Sequence, residues 1–231
     1  SVGKLKSAVP KFLVLGRAGM DFYADPPGTR LELASRFVPA LGGSAANIAV
    51  AIARLGGSAS LVSAVSDDAV GRYILNQLKH YGVGADHVSV ASGEVRSSLA
   101  VVETRNENCQ NVIYRNGAAD FELTEDAVTA IPLKNFDALI VTGTSLAKEP
   151  SRCAALKAMT LSKAAGLSII LDVDYRPYSW ASAQEAATIG LQAATLGDLI
   201  VGNDVEFDVL ANGTAGQDLA KRLAQQQDKA V

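Results

Sequence analysis

Short apolar runs alternate along the chain with longer segments of helical periodicity. The runs at residues 12–15, 60–65, 138–142, 168–173 and 199–201 have the length and continuity of buried strands. Between them, residues 45–55, 69–81, 150–165, 183–195 and 216–226 place apolar side chains at helical spacing. This alternation predicts βαβ units, and hence an α/β fold with a mostly parallel sheet flanked by helices. Two segments break the rhythm. Residues 28–38 and 95–115 are β-rich, and the polar stretch Arg105-Asn106-Glu107-Asn108-Cys109 turns the second into a hairpin. They predict either a small antiparallel flap beside the main sheet or an extension of its edge.

The segment Gly42-Gly43-Ser44-Ala45-Ala46-Asn47-Ile48-Ala49-Val50-Ala51-Ile52-Ala53-Arg54-Leu55-Gly56 opens a helix with a diglycine and puts an asparagine in its first turns. Ile48, Ile52 and Leu55 recur at helical spacing and are expected to face a core. Free backbone N–H groups and the positive end of the helix dipole gather at such an end, and glycines let an oxygen-rich ligand approach the main chain. An isolated diglycine is equally a tight turn into a core helix.

Composition narrows the partners. With 231 residues, 48% of them hydrophobic and 19% charged, the chain can bury one sizeable core, or a core with a small appendage. A net charge of -3 without a basic run points to neither nucleic acid nor an anionic membrane surface. Cys109 and Cys153 lack CxxC spacing, which argues against a disulfide framework or a zinc site and fits a reducing cytoplasm. The lysines at positions 4, 6 and 11 precede an apolar run of only five residues, 12–16, so neither export nor a membrane span is expected.

Ligands of open α/β sheets bind beyond the carboxyl ends of the strands. Just past the predicted strand ends stand Asp21, Ser66-Asp67, Gly143-Thr144, Asp172 with Asp174 and Arg176, and Asn203 with Glu206. Neither a Walker-type GxxxxGK[ST] loop nor a clean GxGxxG is present. A carboxylate at Asp21 can accept two hydrogen bonds from sugar hydroxyls, whereas Asp67 and Asp68 are better placed to cap the helix near Ala69. The Arg176 guanidinium is a planar fork that matches a carboxylate. Tyr114-Arg115, at the end of the hairpin, offers a second cationic contact from above or an ordinary exposed strand end. Asn203-x-x-Glu206 by itself is a helix-capping pair.

The diglycine segment resembles the first signature of the ribokinase-like (pfkB) carbohydrate kinase family, and four further segments resemble that family in the same order. They are Gly16-Arg17-Ala18-Gly19-Met20-Asp21, residues 65–72, the run Leu171-Asp172-Val173-Asp174-Tyr175-Arg176-Pro177-Tyr178-Ser179-Trp180, and Gly202-Asn203-Asp204-Val205-Glu206. The resemblance implies a ribokinase-like fold whose flap is a lid over the sugar and, in a complete chain, a homodimer contact. It implies that Asp21, Gly42, Gly43 and Asn47 hold sugar hydroxyls. It also implies that Asp174, Asn203 and Glu206 serve ATP, with Glu206 ordering water around Mg²⁺.

The run 171–180 is similar to the branch acting on keto-deoxy sugar acids, where Arg176, with Tyr114 and Arg115, would meet the acid group. The implied reaction moves the γ-phosphoryl of ATP to the primary hydroxyl of such an acid. 5-Dehydro-2-deoxygluconate, of inositol catabolism, stands ahead of 2-dehydro-3-deoxygluconate, and neutral sugars such as fructose or ribose are the alternative. Ala45 departs from the proline common in the first of these branches. The family's D-x-x-G-A-G-D segment, which supplies an anion hole and the catalytic aspartate, has no counterpart in residues 1–231. The chain is accordingly expected to be the amino-terminal two-thirds of a single kinase domain without its catalytic base, and a sugar-acid-binding protein without turnover is the rival.

Overall fold

The computed structural model describes residues 9–226 and 230–231. Along the chain run β1 (Lys11–Leu15), β2 (Gly19–Asp25), β3 (Arg36–Gly42), α1 (Ser44–Arg54), β4 (Ser58–Ser66), α2 (Ala69–His80) and β5 (Gly84–Ala91). Then follow β6 (Leu99–Val102), β7 (Asn111–Tyr114), α3 (Glu125–Thr129), β8 (Ala138–Thr142), α4 (Ser151–Ala164) and β9 (Ser168–Asp172). The last are α5 (Ala183–Leu196), β10 (Leu199–Val201), α6 (Asp204–Ala211) and α7 (Gly216–Gln226).

In β1, Leu13 and Leu15 point to one face and Val14 to the other, and all three are completely buried. A strand buried on both faces belongs inside a parallel sheet. β1 indeed lies between β8 and β4 in a six-stranded sheet of order β10-β9-β8-β1-β4-β5, whose pairings are all parallel. One face packs Leu13, Leu15, Leu139 and Ile169 against Met159 of α4, Ala193 of α5 and Phe207 of α6. The other packs Val14, Leu61 and Ile140 against α1 and α2. Ala230 bridges to Leu199 beside β10.

The strands predicted at 138–142 and 199–201 and the helix at 216–226 have the predicted bounds, and the other strands and helices of the βαβ alternation agree within two residues. β5 escapes the periodicity because it is a half-buried edge strand containing Asp86, His87 and Ser89. The expected core face of α1 is corrected: Leu55 caps the helix and is 89% exposed, Ile48 and Ile52 are only partly buried, and Ala45, Ala46, Ala49 and Val50 face inward. Small side chains let this helix lie close to the sheet, so the larger aliphatics fall to its flank.

The flap is a second sheet of order β3-β2-β6-β7. It is not purely antiparallel, because β2 and β6 run parallel between two antiparallel pairs. Residues 28–35 are a turn and a short 3-10 helix, and the strands there are 19–25 and 36–42, so the β segment expected at 28–38 is displaced. The chain reverses at Pro26-Pro27-Gly28, where the Thr29 N–H donates to the Pro26 carbonyl at 3.2 Å. The hairpin expected within 95–115 is present as β6 and β7. Buried Glu103 ties the two halves of the lid together, accepting from the Leu31 N–H at 2.9 Å and the Gln110 N–H at 3.0 Å. Among the described residues, no helix is long and apolar enough to cross a membrane.

Candidate active site

A cavity of about 630 Å³ opens between β7 and the loops that follow β1, β8 and β9. Arg17, Arg115, Lys148 and Arg176 line it together with Ser44 and Asp174. These positions lie far apart in sequence. The parallel strands β1, β8 and β9 bring Arg17, Lys148, Asp174 and Arg176 to their carboxyl ends, where open α/β sheets present their ligand sites, and the segments after lid strands β3 and β7 add Ser44 and Arg115.

Asp21, Gly42, Gly43 and Asn47 form a connected group behind Arg17 and Ser44, and none of the four lines the cavity itself. Gly43 precedes α1 with φ +96°, and a Cβ there would fall 2.2 Å from the Arg17 carbonyl oxygen, so only glycine lets α1 start this close to the β1 loop. The Gly43 carbonyl accepts from the Asn47 backbone N–H at 3.0 Å and from Asn47 Nδ2 at 2.9 Å. Asp21 is not in the loop after β1, as expected, but inside β2, opposite Ala40 and Ala100. Residues 19–25 are half-buried and do not alternate cleanly, and only three residues separate them from β1, so the sequence gives no separate strand signal there. A Cβ on Gly42 would meet Asp21 Oδ1 at 2.1 Å, so the carboxylate occupies the space of the missing side chain. Asp21 Oδ1 is buried and has no hydrogen-bond partner. Burial raises the Asp21 pKa, and nearby Arg17 pulls it back down.

Tyr114 is 62% exposed and lies outside the cavity lining, which corrects its expected place beside the ligand. Arg115 does line the cavity, but it is a buried arginine rather than an exposed strand end. Its Nε and Nη2 both donate to Asp120 Oδ2, at 3.1 and 2.5 Å, and its guanidinium lies 4.0 Å from the centre of the Phe121 ring. Further bonds to the Thr144 carbonyl, at 3.1 Å, and to Ser179 Oγ, at 3.3 Å, join the lid hairpin to the loops after β8 and β9.

Past β9 the backbone turns at Asp174, whose φ of +41° aspartate tolerates better than most residues. The buried Asp174 carboxylate accepts from Ser44 Oγ at 2.5 Å and pairs with Arg176 at 3.2 Å. The Arg176 side chain is 54% exposed. Asp172 has its pKa raised to about 6, first by burial and then by the charges of Asp174 and Glu206. Asn203 and Glu206 form a reciprocal capping box on α6: Asn203 Oδ1 accepts from the Glu206 N–H at 2.8 Å, and Glu206 Oε1 accepts from the Asn203 N–H at 3.0 Å. Glu206 Oε2 accepts from the Tyr175 N–H at 2.5 Å, which links α6 to the Arg176 loop. Neither Asn203 nor Glu206 lines the cavity. Asp68 caps α2 as expected, accepting from the Gly71 N–H at 2.9 Å.

Four residues of this site, Arg17, Ser44, Asp120 and Lys148, were not singled out from the sequence. Arg17 could have been found, because it stands two residues after a predicted strand end. Asp120 carries no such signal; only the fold sets it against Arg115 and near Arg17.

Residues 9–231 match the pfkB family of carbohydrate kinases. A 5-dehydro-2-deoxygluconokinase of Photobacterium profundum is 40% identical over 210 residues, which are 89% of this chain and 63% of that protein. A PfkB protein from Polaromonas superposes with a TM-score of 0.84 at 25% identity, covering 94% of this chain and 74% of that one. A fructokinase from Xylella fastidiosa with bound ATP superposes with a TM-score of 0.82 at 25% identity, covering 93% of this chain and 65% of the other. This chain spans less than two thirds of the length of the P. profundum protein. With a family match over nearly its whole length and the all-parallel sheet and β-lid just described, the chain belongs to the pfkB carbohydrate kinase family.

Proposed function

We propose that this chain binds the sugar in an ATP-dependent kinase that phosphorylates the primary hydroxyl of a keto-deoxy sugar acid, with 5-dehydro-2-deoxygluconate the favoured substrate. One observation carries the choice of an acid. The cavity gathers Arg17, Arg115, Lys148 and Arg176, and the carboxylates ion-paired to these four are Asp120 and Asp174. That surplus of positive charge suits an anionic ligand and has no counterpart in what a neutral sugar needs. The relatives named 5-dehydro-2-deoxygluconokinase support the particular acid, and the ATP-bound fructokinase supports the nucleotide.

In this reading Asp21, with its unpartnered oxygen, and the Gly42-Gly43-Asn47 turn hold sugar hydroxyls, and the lid hairpin closes over them through Arg115. Arg176 faces the acid group. None of these residues is assigned as the general base. On the nucleotide side, Asp174, Asn203 and Glu206 adjoin the carboxyl ends of β9 and β10. Magnesium fits there through water: the clustered charges that lift the Asp172 pKa favour a cation, while both Glu206 oxygens are already engaged by backbone N–H groups. Among the described residues, no group of three acidic, histidine or cysteine side chains is arranged to hold a metal directly. When bound, the ion would neutralise phosphate charge. The exposed Phe37, Val38, Val112 and Tyr114 on the lid strands fit dimerisation through the lid, and the absence of a disulfide framework fits a cytoplasmic enzyme.

Phosphorylation assays on the protein as its gene encodes it test the reading, with 5-dehydro-2-deoxygluconate, 2-dehydro-3-deoxygluconate, fructose and ribose compared at equal concentration. The first acid is expected to give the highest kcat/KM. A higher value for fructose or ribose would make it a neutral-sugar kinase, and binding of the acids without turnover would make it a binding protein.

A further inference from the structure

Arg17 differs from the other cations of the cavity. Arg115 is held by two bonds to Asp120, Arg176 is more than half exposed and paired with Asp174, and Lys148 is exposed. Arg17 is partly buried, and among the described residues its guanidinium makes one hydrogen bond, from Nη1 to Ser98 Oγ at 2.8 Å, and no ion pair. Its position is nonetheless built. A Cβ on Gly19 would lie 2.7 Å from Arg17 Nη1 and 2.6 Å from Ser98 Oγ, so the guanidinium reaches Ser98 through the gap that Gly19 leaves. At the other end of the residue, the Arg17 carbonyl accepts from the Ala46 N–H at 3.4 Å and abuts Gly43. Backbone and side chain are thus both fixed, and among the described residues only Nη1 of the five-donor guanidinium, which lines the cavity, is hydrogen-bonded.

Among the described residues no carboxylate is bonded to Arg17. Asp120 attracts both Arg17 and Arg115, the two guanidiniums repel each other, and Asp21 lies near enough to Arg17 to attract it as well. Asp120 commits one oxygen to Arg115, and its other oxygen is buried without a partner. A half-buried guanidinium without an ion-paired acid interacts more strongly with a ligand carboxylate than a fully exposed one, because less water screens the pair. Resting on the sugar-acid reading above, we propose that Arg17 is the residue that recognises the substrate's carboxylate and separates keto-deoxy sugar acids from neutral sugars, with Arg176 a weaker outer contact.

Calorimetric titration of the protein as encoded, with 5-dehydro-2-deoxygluconate, D-fructose and MgATP as probes, tests this. Arg17→Gln is expected to weaken the acid by about 10- to 150-fold, the loss of a charge-assisted contact, and to leave fructose and MgATP within about twofold. Arg17→Lys should restore part of the acid affinity. Ser98→Ala keeps the charge but frees the guanidinium, and should weaken the acid by about 2- to 10-fold even if Arg17→Gln fails to fold. Wild-type protein that prefers the acid, with Arg17→Gln or Ser98→Ala keeping that preference in full, would overturn the assignment alone. So would a loss of MgATP affinity in place of the acid's. Wild-type protein with no preference for the acid would overturn the sugar-acid reading and this assignment together.

Discussion

Arg115 gives both Nε and Nη2 to a single oxygen of Asp120, and the other Asp120 oxygen is buried with no partner. Both side chains are almost fully buried, at 5% and 2% exposure. Such a pair is weak evidence for stability but a strong constraint on geometry, because neither charge can be left alone inside the protein. Here it fixes where the lid hairpin meets the loops after β8 and β9.

Removing one member should therefore expose that constraint. Asp120→Ala is expected to cost about 3–5 kcal/mol in urea unfolding, since it leaves Arg115 charged and buried. Replacing both residues together, as Arg115→Met with Asp120→Leu, should cost less than Asp120→Ala alone. A double variant no more stable than the single would show that the ion pair itself, rather than the orphaned charge, carries the energy.

Asp21→Ala should separate binding from folding. The Asp21 carboxylate is desolvated with one oxygen unpartnered, so its removal should lower the melting temperature by no more than about 4 °C. Sugar affinity should fall by about 1–3 kcal/mol. A large loss of stability with normal binding in the folded fraction would place Asp21 in the architecture of β2 instead.

Arg176→Ala should lower affinity for a keto-deoxy acid by about 0.5–1.5 kcal/mol, because its half-exposed guanidinium is screened and already paired with Asp174. Fructose binding should hardly change. Equal losses for the two ligands in calorimetry would remove Arg176 from acid recognition.

Asp172 sets a pH dependence. Its folded pKa, about 6, exceeds its ordinary value of 3.8, so the folded state binds this proton more tightly than the unfolded chain. The stabilisation is complete below about pH 3.8 and is lost as pH rises through about 6. Asp172→Asn should consequently raise stability above pH 6 by about 1–2 kcal/mol in metal-free buffer, after allowance for solvent screening, with the gain shrinking toward pH 4. A gain that does not vary with pH in urea titrations at pH 4, 6 and 8 would detach it from this carboxylate.

Gly43→Ala tests the start of α1. At φ +96° and 2.2 Å from the Arg17 carbonyl oxygen, the added methyl should destabilise by about 1–3 kcal/mol and shift Arg17 with it. Near-native stability in thermal melts would mean that the loop after β1 yields easily.

The parallel sheet was legible in the chain because its evidence is local. The run Ala138–Thr142 is buried on both faces, and burial of that kind demands continuous apolar residues whatever their partners. The capping box of Asn203 and Glu206 was legible for the same reason, since its two members are three residues apart and each accepts from the other's backbone N–H. The turn at Gly42-Gly43 and the carboxyl-end rim followed from the same short-range pattern. Where a signal had to come from a distant segment, the sequence was silent or misleading. Leu55 kept the helical period yet lies in solvent, because the fully buried face of α1 is made of Ala45, Ala46, Ala49 and Val50, with Ile48 and Ile52 on its flank. β2 and β5 are half-buried, so their alternation blurs, and Asp21 was placed in a loop it does not occupy. Nothing in local pattern joins Arg115 to Asp120, Ser44 to Asp174 across 130 positions, or Arg17 to Ser98 across 81. Those pairings are set by strand order and lid register, and they decide which of the cavity's positive charges are neutralised within the protein and which remain open to a ligand.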